Sequence, residues 1–295
     1  MEPTSSNQPL ITVGDIFRAP GKLVLAGEYA ILDGAPAIVL AINRGVECLI
    51  EEGSGIETPN GDTRFVNQAS ALATQYKLTF RDWNPVLGLH GGDKPGFGGS
   101  AAACVIATVL SGRPITDAVE IHKRIQGGGS GIDVKASIKG GMFQWNPDTG
   151  VTNGSQPLIP VVVWTGTSAK TAPRIQQYFA YDNRSWFVQN SIRFTELFLE
   201  DPIGGTRALY RNLLQMSKQA NLGYMIPAIE EIVSLAENHG GAAKPSGAGG
   251  GDCMVAYFPN REAKQAFVEH IQRHPIYQII KYQVSNGFHM VNHED

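Results

Sequence analysis

The sequence predicts an α+β protein in two lobes. Apolar and β-branched runs at 16–25, 36–51, 158–164, 252–258 and 276–284 read as strands. Helical periods lie between them, at 66–78, 100–110, 116–126, 172–180, 184–200, 205–220, 226–238 and 260–273. The asparagine- and glycine-rich stretch 146–157 is the best boundary, giving a first lobe over 1–155 and a second over 156–295. At 295 residues the chain is long enough for a core in each.

Along the chain, FRAPGKLVLA at 16–25 starts with a turn and runs into an apolar strand, and PAIVLAINRGVECLIE at 36–51 continues as one or two strands. Residues 66–78 are expected to be helical, and 79–95, rich in Gly, Pro, Asp and Asn, irregular. SAAACVIATVL at 100–110 is small and apolar all round, as in a buried helix. TDAVEIHKRIQ at 116–126 is helical in period, with Thr116 as its expected N-cap and the glycines at 127–129 as its stop. Residues 133–145 form an apolar segment broken by glycine, and LIPVVVW at 158–164 is a strand. The helix at 226–238 closes on Gly240 and Gly241. DCMVAYF at 252–258 is a strand, 260–273 a helix charged on one face, and 276–284 a last strand.

Composition excludes several classes. An apolar share of 42% against 17% charged is that of a globular chain rather than a disordered one. A net charge of −3, with no basic run, predicts neither a nucleic-acid partner nor a membrane surface. Cys48, Cys104 and Cys253 are far apart and odd in number, which suits a reducing compartment, and no zinc spacing occurs. The first fifteen residues lack a basic segment followed by an apolar one, and no apolar run approaches a membrane helix, so a cytoplasmic protein is expected.

Glycine, at 34 residues, gathers at 91–99, 127–131, 139–141 and 247–251, where the backbone either forms flexible loops or approaches something closely. Four segments carry chemistry. In GDKPGFGGSAAA, at 92–103, Gly96, Gly98 and Gly99 precede a small-residue helix. Free amides at such a helix start bind phosphate oxygens, and Ser100 offers a hydroxyl where a Mg²⁺ ligand is useful; plain glycine turns also enter buried helices. The loop is not a Walker motif, because Gly-Lys-Ser/Thr is missing. In APGKLVLAGEYAILDG, at 19–34, Lys22 follows a Pro-Gly turn at the start of a strand, as a cleft-edge cation for a phosphoryl group or as a solvated surface lysine.

In QGGGSGIDVKASIKGG, at 126–141, Asp133 sits between a glycine turn and an apolar segment. It is either a fixed carboxylate that accepts or orients an acceptor proton beside Lys22, or a turn former. In AAKPSGAGGGDCMVAYF, at 242–258, four glycines in five residues feed a strand, as a loop pressing amides on a ligand or as a tight helix-to-strand turn.

Taken in order, APGK…GE, PGxGxSAA, GSGxD and SGAGGG resemble the GHMP kinase superfamily over residues 17 to 258. The resemblance implies a ribosomal-protein-like N-terminal β/α lobe and a ferredoxin-like C-terminal lobe, with ATP and acceptor meeting between them. It implies that Gly96, Gly98, Gly99, Ser100 and Ala101 hold the ATP phosphates, that Ser100 helps hold Mg²⁺, and that Asp133 and Lys22 are catalytic. Glu28, Tyr29, Ser130, Gly131, Ser246, Gly247, Ala248 and Lys170 are then expected around the acceptor.

Three stretches resemble the phosphomevalonate kinases in particular: GEYA at 27–30, with Tyr29 where mevalonate kinases carry His; VWTGTSAKT at 163–171; and SGAGGGDC at 246–253, with Asp252 where mevalonate kinases carry Gly. HKRIQGGGSGIDV is similar to their AHxxAQG…GSGxDV segment through His122 and Gln126. The implied activity is ATP-dependent phosphorylation of phosphomevalonate; mevalonate kinase, another GHMP sugar or alcohol kinase, and a degenerate binding protein are the alternatives. The implied partners are ATP and a small anionic acceptor, recognised by cations among Lys22, Lys135, Lys139, Lys170 and Arg174, in a monomer or homodimer. The chain departs from the family in having GFGGSAA for GLGSSAA, a short stretch from Ser100 to Asp133, and His122 near where some mevalonate kinases carry an acidic Mg²⁺ ligand.

Overall fold

A computed structural model of the chain describes residues 11–85, 95–153, 158–169 and 171–291. Its strands are β1 (Ile16–Ala26), β2 (Ala37–Glu51), β3 (Gly55–Glu57), β4 (Lys77–Trp83), β5 (Met142–Asn146), β6 (Gly150–Asn153), β7 (Val161–Trp164), β8 (Ala242–Pro245), β9 (Cys253–Tyr257), β10 (Gln278–Ile280) and β11 (His289–Met290). Its helices are α1 (Gly99–Leu110), α2 (Ala118–Gln126), α3 (Ile132–Lys139), α4 (Thr171–Phe179), α5 (Arg184–Glu200), α6 (Pro202–Ala220), α7 (Pro227–Asn238) and α8 (Arg261–Arg273).

The first sheet runs β11-β1-β2-β4-β3, with β5 on the other half of β2 and β6 beyond it; the second runs β10-β7-β9-β8. The long β2 is one strand, whose Ala37–Leu40 half takes β5 and whose Gly45–Glu51 half takes β4. The chain's final stretch returns to the first sheet: Val284 bridges to Ile42, Asn286 to Gly140, and β11 pairs with β1.

Period-two patterning sets the packing. In β7 and β9, Val162, Trp164, Cys253, Val255 and Tyr257 face the first sheet, where they meet Leu23, Leu25, Ile38, Leu40 and Ile42. The alternate residues, Val161, Val163, Met254 and Ala256, pack against α7 and α8 through Ile229, Ile232, Phe267 and Ile271. Phe17, Ala19, Val46, Cys48 and Ile50 form a separate core with α1, whose all-round apolar sequence is buried as expected. The three cysteines are buried free thiols.

Several local expectations change. Residues 66–78 hold two 3₁₀ turns, at Asn67–Ala69 and Leu72–Thr74, and then enter β4. The strand was hidden by its charges: Leu78 and Phe80 are buried on one face, while Arg81 lies opposite Glu47 in register and pairs with it at 2.6 Å. Thr116 does not cap α2; it lies inside a 3₁₀ turn, Ile115–Asp117, and Asp117 takes the N-cap position without a side-chain bond. α6 starts at Pro202 because the Asp201 side chain accepts the Ile203 and Gly204 amides and Pro202 suits the first turn. No helix among the described residues is long and apolar enough to cross a membrane.

Candidate active site

β1 delivers Lys22 to the first glycine loop. The Lys22 amide donates to the Phe97 carbonyl at 2.9 Å, and its ammonium donates to the Gly96 carbonyl at 2.9 Å. Gly98, at φ 81°, is the N-cap of α1, and its carbonyl accepts the amides of Ala101 and Ala102. The amides of Gly99 and Ser100, at the start of the helix, have no carbonyl one turn behind them, and both residues are exposed. Ala101 departs from expectation: it is fully buried and its amide is spent on Gly98, so it offers a phosphate nothing.

Asp133 arrives on the first turn of α3, after Gly131 at φ 70°. It and Lys22 flank Gly98: a Cβ there would lie 3.4 Å from the Asp133 Cβ and 3.7 Å from the Lys22 Cε. Buried His122 on α2 faces Ser100, Nε2 to Oγ 3.3 Å, and packs against the Phe65 ring at a tilt, centroids 5.0 Å apart. Burial pulls the imidazole pKa below its ordinary value, with the nearby Asp133 charge opposing, so the ring is neutral at pH 7.

The second lobe closes the other side with the 246–252 loop. The Ser246 hydroxyl accepts the Val24 amide at 2.9 Å, and the Tyr29 hydroxyl donates to the Ala248 carbonyl at 2.6 Å. Tyr29 itself has a positive φ of 58°, and burial raises its pKa. Beneath lies an ion pair absent from the sequence reading: the fully buried Lys244 ammonium donates to the Glu28 carboxylate and to the Pro245 carbonyl. Burial pulls the lysine pKa down, Glu28 opposes, and the second Glu28 oxygen has no protein partner.

Lys22, Asp133, Gly96, Gly98, Gly99, Ser100, Glu28, Tyr29, Ser130, Gly131, Ser246, Gly247 and Ala248 line one cleft of ≈ 830 Å³ between the lobes. Lys170 lies outside the described residues. Lys135 and Lys139, on α3, are not among the residues lining the cleft. Arg174 is held at the Gly223 carbonyl (3.4 Å). Besides Lys244, the sequence reading missed the wall made by Asn60, Phe65, Phe80 and Trp83, which no motif marks. Asp252, read only as a subfamily mark, also lines the cleft.

Among the described residues no three His, Cys, Asp or Glu side chains gather as a metal site. Mg²⁺ carried by a triphosphate takes most of its oxygens from phosphate and water, and a hydroxyl beside a carboxylate fits the remaining share. Ser100 and Asp133 both line the cleft.

The two lobes, with the glycine-rich start of α1, Lys22 and Asp133 lining the cleft between them, have the two-lobed GHMP kinase fold. Residues 199–276 match the family described as GHMP kinases C terminal, and the chain as a whole has the fold of the solved mevalonate-type kinases. Phosphomevalonate kinase of Streptomyces sp. (strain CL190) is 26% identical, over 82% of this chain and 89% of its own. Mevalonate kinase of Archaeoglobus fulgidus is also 26% identical, over 86% and 95%. Among solved structures, the Lin0012 protein from Listeria innocua superposes with a TM-score of 0.81 at 20% identity, covering 94% of this chain and 99% of that one. Streptococcus pneumoniae phosphomevalonate kinase in complex with phosphomevalonate and AMPPNP gives 0.73 at 17% identity, covering 92% and 99%.

Proposed function

We propose that this protein is a GHMP-type kinase that transfers the γ-phosphoryl group of ATP to phosphomevalonate. The observation that carries the reading is that Lys22 and Asp133 flank Gly98, where the N-terminus of α1 opens into the cleft.

In this reading the Gly99 and Ser100 amides hold the phosphate oxygens at the positive end of α1. Lys22 is anchored by the Gly96 carbonyl and stabilises the charge on the phosphoryl group in transfer. Ser100 would help hold Mg²⁺, which when bound neutralises phosphate oxygens. The wall at Phe65, Phe80 and Trp83 is apolar enough to take the base. Asp133 does different work for different acceptors. An alcohol must lose a proton, which Asp133 accepts. The phosphate of a phosphomonoester is already largely dianionic at pH 7, with a second pKa of about 6, so for phosphomevalonate Asp133 orients rather than deprotonates.

Phosphorylation of mevalonate is the second reading, favoured by relatives of equal identity that carry the mevalonate kinase name. An ADP-release assay across phosphomevalonate, mevalonate, homoserine and sugars separates the two. Turnover fastest with phosphomevalonate is expected; turnover fastest with mevalonate moves the protein to the second reading. Nucleotide binding without transfer to any acceptor would make it a degenerate binding protein.

A further inference from the structure

Asp252 stands out because its position works against stability twice. Its φ is 57°, in the left-handed region that glycine, and then asparagine, occupies with least cost. Its carboxyl is largely shielded from water, and this desolvation raises its pKa, with the Ala169 amide, Lys22 and Arg174 opposing. A strained, desolvated acid at the end of a run of three glycines, where a fourth would fit the backbone better, points to a task for the carboxylate.

Its contacts say which task. One carboxylate oxygen accepts the Ala169 amide at 2.9 Å, while the Asp252 backbone accepts the Thr165 amide at 3.0 Å and donates to the Thr167 carbonyl at 2.7 Å, so the 165–169 loop is fastened at three places, one of them through the side chain. The other oxygen lies against the phosphate loop, 2.5 Å from where a Cβ on Gly96 would stand. That contact leaves room only for glycine at 96, and it is the Gly96 carbonyl that holds the Lys22 ammonium. One side chain thus ties the loop before α4, the phosphate loop and the lysine into a single unit.

We infer that Asp252 is a positioning residue: its carboxylate clamps the 165–169 loop onto the glycine loop and thereby fixes Gly96 and the Lys22 ammonium for phosphoryl transfer. This rests on the kinase reading for its functional half, while the clamp is measurable without turnover.

The test compares wild type with Asp252→Asn, which keeps a left-handed preference and an acceptor oxygen but loses the charge, and Asp252→Gly, which suits the backbone but loses both the oxygen and the charge. Both variants are expected to melt at or above the wild-type temperature, since strain and desolvation are relieved. Hydrogen exchange over 165–169 is expected to speed up in Asp252→Gly and to stay slower in Asp252→Asn. kcat is expected to fall about 10-fold or more in Asp252→Gly, with a smaller loss in Asp252→Asn and KM for ATP moving far less than kcat, as when a reacting group is misplaced by a fraction of an ångström.

Unchanged exchange over 165–169 in Asp252→Gly overturns the clamp, whatever the activity. Faster exchange with wild-type kcat overturns its role in positioning. A lower melting temperature in Asp252→Gly makes the carboxylate a stabilising group and overturns the argument from strain. A wild type that transfers no phosphoryl group sinks the kinase reading instead, and exchange still judges the clamp.

Discussion

The two glycine-rich loops that line the cleft look alike in sequence, yet Gly99 of the first is open where Gly249 and Gly250 of the second are packed against side chains. The loop entering α1 leaves Gly99 and Ser100 exposed, and a Cβ on Gly99 would touch nothing closer than a Val46 methyl at 3.8 Å. The 246–252 loop buries its three consecutive glycines, 249–251. Its Gly249 lies against the Tyr224 ring and its Gly250 against the Arg174 guanidinium, where an added Cβ would come within 2.1 and 1.9 Å. Gly250 also donates its amide to the Tyr224 carbonyl. Only Ser246, Gly247, Ala248 and Asp252 of that loop line the cleft. Glycine clustering therefore reports close approach, and the approaching group can be a ligand or the protein's own side chains.

The comparison breaks most visibly at the chemistry. Asp133→Asn is expected to cut kcat with an alcohol acceptor by on the order of 10²-fold or more and with phosphomevalonate by much less, read by ADP release with each acceptor. Equal losses with both would mean that Asp133 removes no proton from either. Next in size, Gly249→Ala is expected to cost about 1–3 kcal/mol by overpacking against Tyr224, while Gly99→Ala stays within about 0.5 kcal/mol, measured by urea unfolding. If the two substitutions cost the same, the contrast between the loops fails.

Ser100→Ala is expected to raise KM for Mg·ATP by a few-fold, roughly one lost hydrogen bond or ligand contact, with folding unaffected. Unaltered ATP kinetics would remove Ser100 from the metal and the phosphates. The smallest effect concerns His122. Its folded pKa lies below the unfolded value of about 6.5, so between the two the unfolded chain binds more protons and stability drops as pH falls. His122→Gln is expected to flatten the loss of stability just below pH 6.5, which unfolding curves at pH 7 and 5.5 would reveal; an unchanged slope would place the titration elsewhere.

Most of the candidate site was legible because its parts are local. Lys22 follows a Pro-Gly pair, which proves to be a bulge inside β1 rather than the expected turn, Ser100 ends a glycine run, and Asp133 follows one. What escaped has no local signature. Glu28 and Lys244 are separated by 216 positions, and the lysine sits in a short strand that reads as a turn. The aromatic wall comes from β4 and the segment before it, where Arg81 and Asp82 mask a strand whose charges are met by neighbouring strands. β11, at two residues, is below what periodicity can register. The apolar cores were plainest: VVVW and CMVAY announce strands buried on both faces, as found.

That doubly buried second sheet governs how ligands enter. Swinging the lobes apart as rigid halves would wet Leu23, Leu25, Leu40, Trp164, Val255 and Tyr257. At about 1.5–3 kcal/mol for each large apolar side chain, the cost rivals the entire 5–15 kcal/mol that holds a domain folded. Rigid opening of the lobes is therefore costly, and solution scattering is expected to return one radius of gyration with and without saturating nucleotide.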